Sequence, residues 1–175
     1  MVIVFTGDGK GKTTASLGQM VRVTGRGKRA LMIQFIKGSW EAGEHVFGGA
    51  YKIPEDTFHV RRMGKGFVGI LGDKRPRAEH EQAAREALEL FKMELTRKVW
   101  DLIVLDEVNV AVSLGLISAK AVLEAIKDFP EEKLLIMSGR GAPPEFIERA
   151  DLATEMKELK HPFADGKMGK LGVEF

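Results

Sequence analysis

The feature that most constrains this 175-residue chain is a glycine-rich turn that joins a predicted strand to a predicted helix. The strand is the apolar run at residues 2–5, and residues 6–14 read Thr-Gly-Asp-Gly-Lys-Gly-Lys-Thr-Thr. Such a turn points several backbone N–H groups at one place, and the N-terminus of the following helix favours an anion. Phosphate loops carry a glycine where this chain has Thr6, so we expect Thr6 to be the last strand residue. The pattern predicts a nucleoside triphosphate site rather than an ordinary glycine-rich turn.

Two residues of this loop carry most of the expected chemistry. The Lys12 ammonium would contact phosphate oxygens, and the Thr13 hydroxyl would bind a magnesium ion. Lys12 and Thr13 are therefore the candidate catalytic residues. The other candidate phosphate ligands of the loop are Gly7, Asp8, Gly9, Lys10, Gly11 and Thr14.

A second motif, Asp-Leu-Ile-Val-Leu-Asp-Glu at residues 101–107, ends an apolar run with two acids. If the run is a central strand, Asp106 lies at its carboxyl end beside the phosphate loop, where a carboxylate can hold magnesium directly or through water. Asp106 on its own also fits a helix N-cap. Glu107 has three interpretations: a magnesium ligand, a residue that orients water, or an exposed acid. Arg140 follows the next buried strand and is either a phosphate ligand or an exposed turn residue.

Strands and helices alternate along the chain, which is typical of an α/β protein with a mostly parallel central sheet flanked by helices. We predict a single domain over residues 1–175 with a glycine-rich C-terminal tail, and a long loop at residues 37–54. In the first helix, Leu17, Met20 and Val21 are expected on one face. The predicted helices are 13–24, 76–97, 118–128 and one that begins at Pro143 or Pro144, and the later strands are 29–36, 57–61, 100–105, 134–138 and 152–156.

Composition excludes several classes of function. The 27 Lys and Arg residues nearly balance 25 Asp and Glu residues, so the net charge of +2 gives no case for nucleic-acid binding. The chain has no cysteine, which excludes disulfides and thiolate chemistry, and its four histidines show no metal-ligand spacing. No apolar run approaches the roughly 18 residues that span a bilayer, and the chain begins directly with a strand. We therefore expect a cytoplasmic protein that makes no membrane contact.

Together these motifs resemble the P-loop ATP:corrinoid adenosyltransferases, also called cob(I)alamin adenosyltransferases. The resemblance covers nearly the whole chain. Its most specific parts are the loop at residues 6–14, the Gln-Phe-Ile-Lys-Gly run at 34–38 and the terminal Gly-Val-Glu-Phe at 172–175. Further matching residues are Trp40, Gly43, Glu44, Gly66, Phe67, Leu105, Asp106, Glu107, Asn109, Gly139, Arg140, Ala150, Asp151, Leu152, Lys160 and His161.

The resemblance implies a RecA-like P-loop fold and a definite reaction. Members transfer the 5′-deoxyadenosyl group of ATP to the cobalt of a reduced corrinoid and release triphosphate, in adenosylcobalamin synthesis or salvage. Because Co(I) is itself the nucleophile, the protein needs no catalytic base and has only to grip the triphosphate and align the 5′ carbon. ATP is then the co-substrate, Mg²⁺ the cofactor and a reduced corrinoid the second substrate. The resemblance also implies an external electron donor such as a flavoprotein, and a homodimer.

The chain departs from the family pattern on the side expected to meet the corrinoid. Members carry a Phe-x-Trp pair in a second glycine-rich loop, here residues 63–72, and the resemblance implies that this pair displaces the lower axial cobalt ligand. In this chain Phe67 is followed by Val68 and Gly69. Either Ile70 fills the place of the tryptophan or the preferred corrinoid has a different lower face. Phe67 and Ile70 are thus the candidate corrinoid-side residues. The tail also departs, with Phe-Ala-Asp-Gly-Lys at residues 163–167 where members have Phe-Asp-Ala-Gly-Val-Lys.

Three other functions remain open from the sequence. A RecA-like ATPase would use Glu107 to orient the attacking water. A small-molecule kinase would need a basic lid, for which residues 61–77 are a candidate. A non-enzymatic, nucleotide-gated corrinoid binder would hold both ligands and release no product. The identity of the phosphate-containing product distinguishes all of these from adenosyl transfer.

Overall fold

Parallel strands form one sheet in the computed structural model, which describes residues 1–38, 41–70, 72–162, 166 and 169–173. In that part of the chain the sheet has six strands in the order β3-β2-β4-β5-β1-β6, and every pairing is parallel. This confirms the predicted α/β class with its parallel sheet. The strands are β1 (Val2–Thr6), β2 (Ala30–Gln34), β3 (Phe58–Arg62), β4 (Leu102–Asp106), β5 (Leu134–Ser138) and β6 (Leu152–Glu155).

Helices cover both faces of the sheet because consecutive strand residues point to opposite sides. Val2 and Val4 belong to one apolar cluster, whereas Ile3 belongs to a second cluster on the other face. The helices are α1 (Lys12–Thr24), α2 (Gly43–Ala50), α3 (Arg77–Arg97), α4 (Val108–Ser113), α5 (Ala119–Ile126) and α6 (Pro144–Arg149). The first cluster packs against α3, α4, α5 and α6, and the second packs against α1 and α2.

One predicted loop was wrong, and one helix was not predicted. Residues 37–54 are not one loop, because they contain α2, and α4 was not predicted at all. Three glycines give α2 a poor intrinsic helix propensity, and the contact of Phe47 with Phe58, at 5.3 Å between ring centroids, stabilises the helix in place. On the face of α1 predicted to carry Leu17, Met20 and Val21, Met20 is buried and Val21 is 52% exposed. Trp40 and the departures at residues 163–165 and 167 lie outside the described residues.

All carboxyl ends of a parallel sheet lie along one edge, which is where open α/β sheets bind ligands. In this protein that edge carries Thr6, Gln34, Asp106 and Ser138, each the last residue of its strand. The expectation that Thr6 ends the first strand is confirmed. Across the described ranges, each helix is too short or too polar to cross a bilayer.

Candidate nucleotide and metal site

The glycine-rich loop between β1 and α1 has a backbone that requires glycine. Gly7 and Gly11 have φ of 89° and 120°, and a Cβ on Gly7 would lie 2.4 Å from Met156 O. Gly9 N donates to the same carbonyl oxygen at 2.7 Å, so the segment after β6 lies directly on the loop. Gly11 caps α1 without a side-chain hydrogen bond, and the first turn of α1 contains no acid. The positive end of the α1 dipole is therefore not neutralised by a local side chain.

Lys12 folds back onto its own loop. Its Nζ donates to Gly7 O at 2.5 Å and to Gly9 O at 2.6 Å. Burial, and then the positive charge of Arg140, lower the pKa of Lys12. The ammonium thus sits among carbonyl oxygens that an anionic ligand could replace.

Asp106, at the end of β4, accepts hydrogen bonds from three other elements. Oδ1 accepts from Ser138 Oγ at 2.6 Å and from Thr13 Oγ1 at 3.0 Å, and Oδ2 accepts from Gln34 Nε2 at 3.2 Å. The side chains of Asp106, Ser138 and Gln34 are fully buried. The alternative in which Asp106 caps a helix is wrong, because the N-cap of α4 is Glu107. Although β5 lies between β1 and β4, the start of α1 reaches across it to bring Thr13 to Asp106.

Glu107 is partly buried next to Asp106 and has a left-handed backbone with φ of 61°. Burial, followed by the negative charge of Asp106, raises the pKa of Glu107 to about 7. Lys37, Lys12 and Arg140 oppose that shift through their positive charges. The interpretation of Glu107 as an exposed acid is therefore wrong, while its other two interpretations stay predictions.

Arg140 and Asn109 follow β5 and β4 at the same edge. Arg140 is exposed, between two glycines with positive φ, and its charge acts on both Lys12 and Glu107. Asn109 is fully buried, and its Nδ2 donates to Phe5 O at 3.3 Å and to Gly139 O at 3.1 Å. Its Oδ1 has no hydrogen-bond partner within the described part of the chain. Asn109 therefore ties the ends of β1 and β5 together.

The segments that follow β2 and β3 are joined backbone to backbone. Gly64 N donates to Gln34 O at 3.1 Å, and Gly66 N donates to Ile36 O at 2.9 Å. A Cβ on Gly64 would lie 2.2 Å from the Ile36 carbonyl carbon, and one on Gly38 would lie 2.8 Å from Gly66 N. This close approach requires glycine at both positions and fixes where the second loop leaves the sheet.

Phe67 and Ile70 lie on that second loop, which follows the edge strand β3. They are 40% and 59% exposed, and β2, β4 and β5 separate their side of the sheet from β1. The structure therefore groups Lys12, Thr13, Asp106 and Glu107 at one part of the edge and leaves Phe67 and Ile70 at another.

Sequence reasoning assigned no role to Gln34, Ser138 or His45, all of which belong to the network around Asp106. Two signals were available, since Gln34 and Ser138 are polar residues that end otherwise apolar strands. His45 had no such signal, because the helix that positions it was predicted to be loop. Its Nε2 lies 2.8 Å from Gln34 Oε1.

A lysine and a threonine that open a helix after a glycine-rich loop, with an aspartate bonded to the threonine, are typical of P-loop proteins. The parallel sheet has the architecture of that class. A narrower assignment comes from comparison with known families. The model of the ATP:corrinoid adenosyltransferase BtuR/CobO/CobP family matches residues 1–175, and the chain belongs to this family.

Individual relatives agree with the family match. A corrinoid adenosyltransferase of Pseudomonas aeruginosa is 37% identical over 177 residues, covering 100% of this chain and 83% of its own. One from Escherichia coli strain K12 is 33% identical over 175 residues, covering 100% of this chain and 85% of its own. Corrinoid adenosyltransferase CobA of Salmonella typhimurium is 32% identical over 176 residues, with the same two coverages of 100% and 85%. These matches do not favour the ATPase, kinase or carrier alternatives.

Proposed function

We propose that this protein transfers the 5′-deoxyadenosyl group of ATP to the Co(I) centre of a corrinoid and releases triphosphate. The observation that carries the proposal is the family match over the whole chain, together with a phosphate loop whose Thr13 is bonded to Asp106. The reaction forms a cobalt–carbon bond and breaks the C5′–O5′ bond of ATP. The electron pair of the broken bond leaves with the triphosphate, and cobalt is formally oxidised from Co(I) to Co(III).

Lys12 and the start of α1 would bind the triphosphate. We expect the Lys12 ammonium to exchange the carbonyl oxygens of Gly7 and Gly9 for phosphate oxygens, because a charge-assisted bond to phosphate is the stronger interaction. The uncapped N-terminus of α1 favours the same negative charge. The remaining loop residues of the predicted set, Gly7, Asp8, Gly9, Lys10, Gly11 and Thr14, and the exposed Arg140 complete the proposed phosphate site.

The residues beside this loop fit a magnesium ion. Magnesium prefers hard oxygen ligands and commonly takes only one or two from the protein, with phosphate oxygens and water completing the shell. The Thr13 hydroxyl and the carboxylates of Asp106 and Glu107 offer that donor set, and we propose them as the residues that hold it. When bound, Mg²⁺ would supply positive charge that stabilises the leaving triphosphate. Ser138 and Gln34 would keep the Asp106 carboxylate oriented.

The corrinoid would lie on the side of the edge that carries Phe67 and Ile70. Both side chains are apolar and at least 40% exposed, which suits contact with the face of a macrocycle. Gly69 has φ of 69°, a conformation in which a tryptophan would be strained. We therefore propose that Ile70, rather than a residue at position 69, provides the second apolar contact. An external electron donor such as a flavoprotein, a homodimeric assembly and a cytoplasmic location belong to the same proposal.

The decisive experiment is an anaerobic assay with ATP, Mg²⁺ and chemically reduced cobalamin. We expect the Co(I) absorbance to disappear, a light-sensitive adenosylcobalamin to form, and one triphosphate to be released for each cobalt–carbon bond. Persistence of the Co(I) signal while ATP is converted to ADP and phosphate would replace the proposal with an ATPase. Binding of both ligands with no product would replace it with a carrier.

A further inference from the structure

Gln34 connects the proposed metal site to helix α2. It is fully buried at the end of β2, where its Nε2 lies 3.2 Å from Asp106 Oδ2 and its Oε1 lies 2.8 Å from His45 Nε2. His45 is the third residue of α2, and its Nδ1 accepts a hydrogen bond of 2.9 Å from Ala42 N, at the N-cap of that helix. A continuous line of hydrogen bonds therefore runs from the backbone of Ala42 to the carboxylate of Asp106.

The chemistry of the two ends determines the direction of every bond in this line. A backbone N–H can only donate, so His45 Nδ1 carries no proton and Nε2 carries one. A carboxylate can only accept, so the Gln34 amide presents its NH₂ to Asp106 and its oxygen to His45. Both assignments agree at the shared bond, where His45 Nε2–H donates to Gln34 Oε1. Burial lowers the pKa of His45, although the charge of Glu44 opposes this, and the neutral imidazole is the form that the line needs.

We propose that His45 is a positioning residue of the nucleotide and metal site, acting through Gln34 on Asp106. By accepting at Nδ1 and donating at Nε2, His45 holds the Gln34 amide in the orientation that bonds Asp106 Oδ2. Gln34 Nε2 also donates to Glu44 Oε1 at 3.4 Å, so the amide NH₂ is shared between two carboxylates. Without the His45 donor, the buried amide oxygen loses its partner, and the amide can shift away from Asp106 Oδ2. The inference rests on the proposed function only in assigning Asp106 to the site that holds Mg²⁺ with ATP.

Three substitutions of His45 separate this role from simple capping of α2. His45→Gln keeps both an acceptor for Ala42 N and a donor for Gln34, since glutamine is a natural residue at the third helical position. His45→Glu keeps the acceptor and loses the donor, and His45→Leu loses both. If His45 only caps α2, the glutamate variant should resemble the wild type. If it positions Gln34, the glutamate variant should resemble the leucine variant.

The first readout is calorimetric binding of ATP with Mg²⁺ and, separately, of ATP with EDTA. We expect His45→Glu and His45→Leu to weaken binding of ATP with Mg²⁺ by about 10- to 100-fold, the usual effect of losing a partner of a metal ligand, and His45→Gln to bind like the wild type. ATP binding in EDTA should change much less. This comparison separates loss of the hydrogen-bond line to Asp106 from repulsion of ATP by the carboxylate that His45→Glu introduces. Wild-type binding by His45→Glu with Mg²⁺, or equal losses with and without Mg²⁺, would overturn the proposal.

The second readout needs no variant and no catalytic turnover. Long-range ¹H–¹⁵N correlation spectra of the wild-type protein at neutral pH should show His45 as the neutral tautomer protonated at Nε2. A proton on Nδ1 would overturn the proposal even if the variants fail to fold. Because neither readout measures adenosyl transfer, a wild type that binds ATP with Mg²⁺ but makes no adenosylcorrinoid would reject the proposed function and leave this inference standing.

Discussion

The hydroxyl of Thr13 donates a 3.0 Å hydrogen bond to Asp106 Oδ1, although 93 positions of sequence separate the two residues. The bond joins the first turn of α1 to the carboxyl end of β4. It passes over the end of β5, whose Ser138 bonds the same carboxylate oxygen at 2.6 Å. A hydroxyl and a carboxylate are thus held together at the mouth of the phosphate loop.

Replacing Thr13 by valine tests whether that hydroxyl binds the metal. Valine keeps the shape of the side chain and loses the oxygen, so we expect Thr13→Val to weaken ATP binding in the presence of Mg²⁺ by about 10- to 100-fold. Thr13→Ser keeps the hydroxyl and is the matched control, expected to bind nearly as well as the wild type. Titration calorimetry with and without Mg²⁺ measures both. Equal affinity of the valine and serine variants would remove Thr13 from the metal site.

Replacing Lys12 by alanine tests the phosphate grip. We expect Lys12→Ala to slow triphosphate release by about 10²- to 10³-fold, because it removes the cation that faces the developing charge on the leaving group. The far-ultraviolet circular dichroism spectrum should not change, because among the described residues the Lys12 side chain bonds carbonyls of its own loop. Lys120→Ala, an exposed lysine of α5, controls for loss of a surface charge. A Lys12→Ala protein with wild-type turnover would contradict the proposed role.

Replacing Phe67 by alanine tests the corrinoid side of the proposal. We expect Phe67→Ala to impair reaction with cob(II)alamin plus reductant more than reaction with preformed cob(I)alamin, because a residue that displaces the lower axial ligand is needed only before reduction. The KM for ATP should stay unchanged, since Phe67 follows β3, which β2, β4 and β5 separate from β1 and its phosphate loop. Steady-state kinetics with the two cobalt states provides the comparison. Equal losses of rate with both cobalt states would show that Phe67 does not help to displace the lower axial ligand before reduction.

Substituting Gly64 tests the close approach of the two loops. A Cβ there would lie 2.2 Å from the Ile36 carbonyl carbon, so Gly64→Ala has to push backbone apart and should destabilise the protein by about 1–3 kcal/mol. The control is Gly18→Ala in α1, where a Cβ meets nothing within 4 Å and alanine should stabilise by about 0.5–1 kcal/mol. Urea unfolding of both variants measures the difference. A Gly64→Ala variant with the unfolding free energy of the wild type would show that the two segments are not tightly joined.

Asp73 should contribute to stability in acid. Hydrogen bonds from Gly69 N and Arg75 N, and then His80, lower the pKa of Asp73 in the folded protein. The stabilisation is present above the unfolded pKa of about 3.9 and is lost as the pH falls through that value towards the folded pKa. Asp73→Asn should therefore flatten the fall in unfolding free energy between about pH 5 and pH 2. The unfolding free energy is measured by urea titration over that range, with the exposed Asp128→Asn as control. The prediction is wrong if the unfolding free energy of both variants falls with pH as steeply as that of the wild type.

Much of the candidate site could be proposed from the sequence because it depends on local chemistry. The loop at residues 6–14 needs glycines for its turn and a lysine and threonine for its chemistry, all within one short segment. The apolar run that ends in Asp106 likewise indicated a buried strand with a carboxylate at its end. In both cases the local pattern is sufficient, because the strand and helix periods determine where the polar residues emerge.

Helix α2 and its neighbours were beyond such reasoning. Its three glycines oppose a helix, and packing of Phe47 on Phe58, together with the bond from Ala42 N to His45 Nδ1, makes the helix favourable. The meeting of His45, Gln34 and Asp106 depends on strand order, because β2 must lie beside β4 for Gln34 to reach the carboxylate.

The sequence by itself determined the phosphate loop, the alternation of strands and helices, and the family resemblance. The tertiary structure decided which strand ends meet, that Thr13 and Ser138 share one oxygen of Asp106, and that His45 takes part at all. The physical reason is that hydrogen-bond partners far apart in sequence are chosen by the pairing of strands. That pairing follows from burial of the whole sheet rather than from any local pattern.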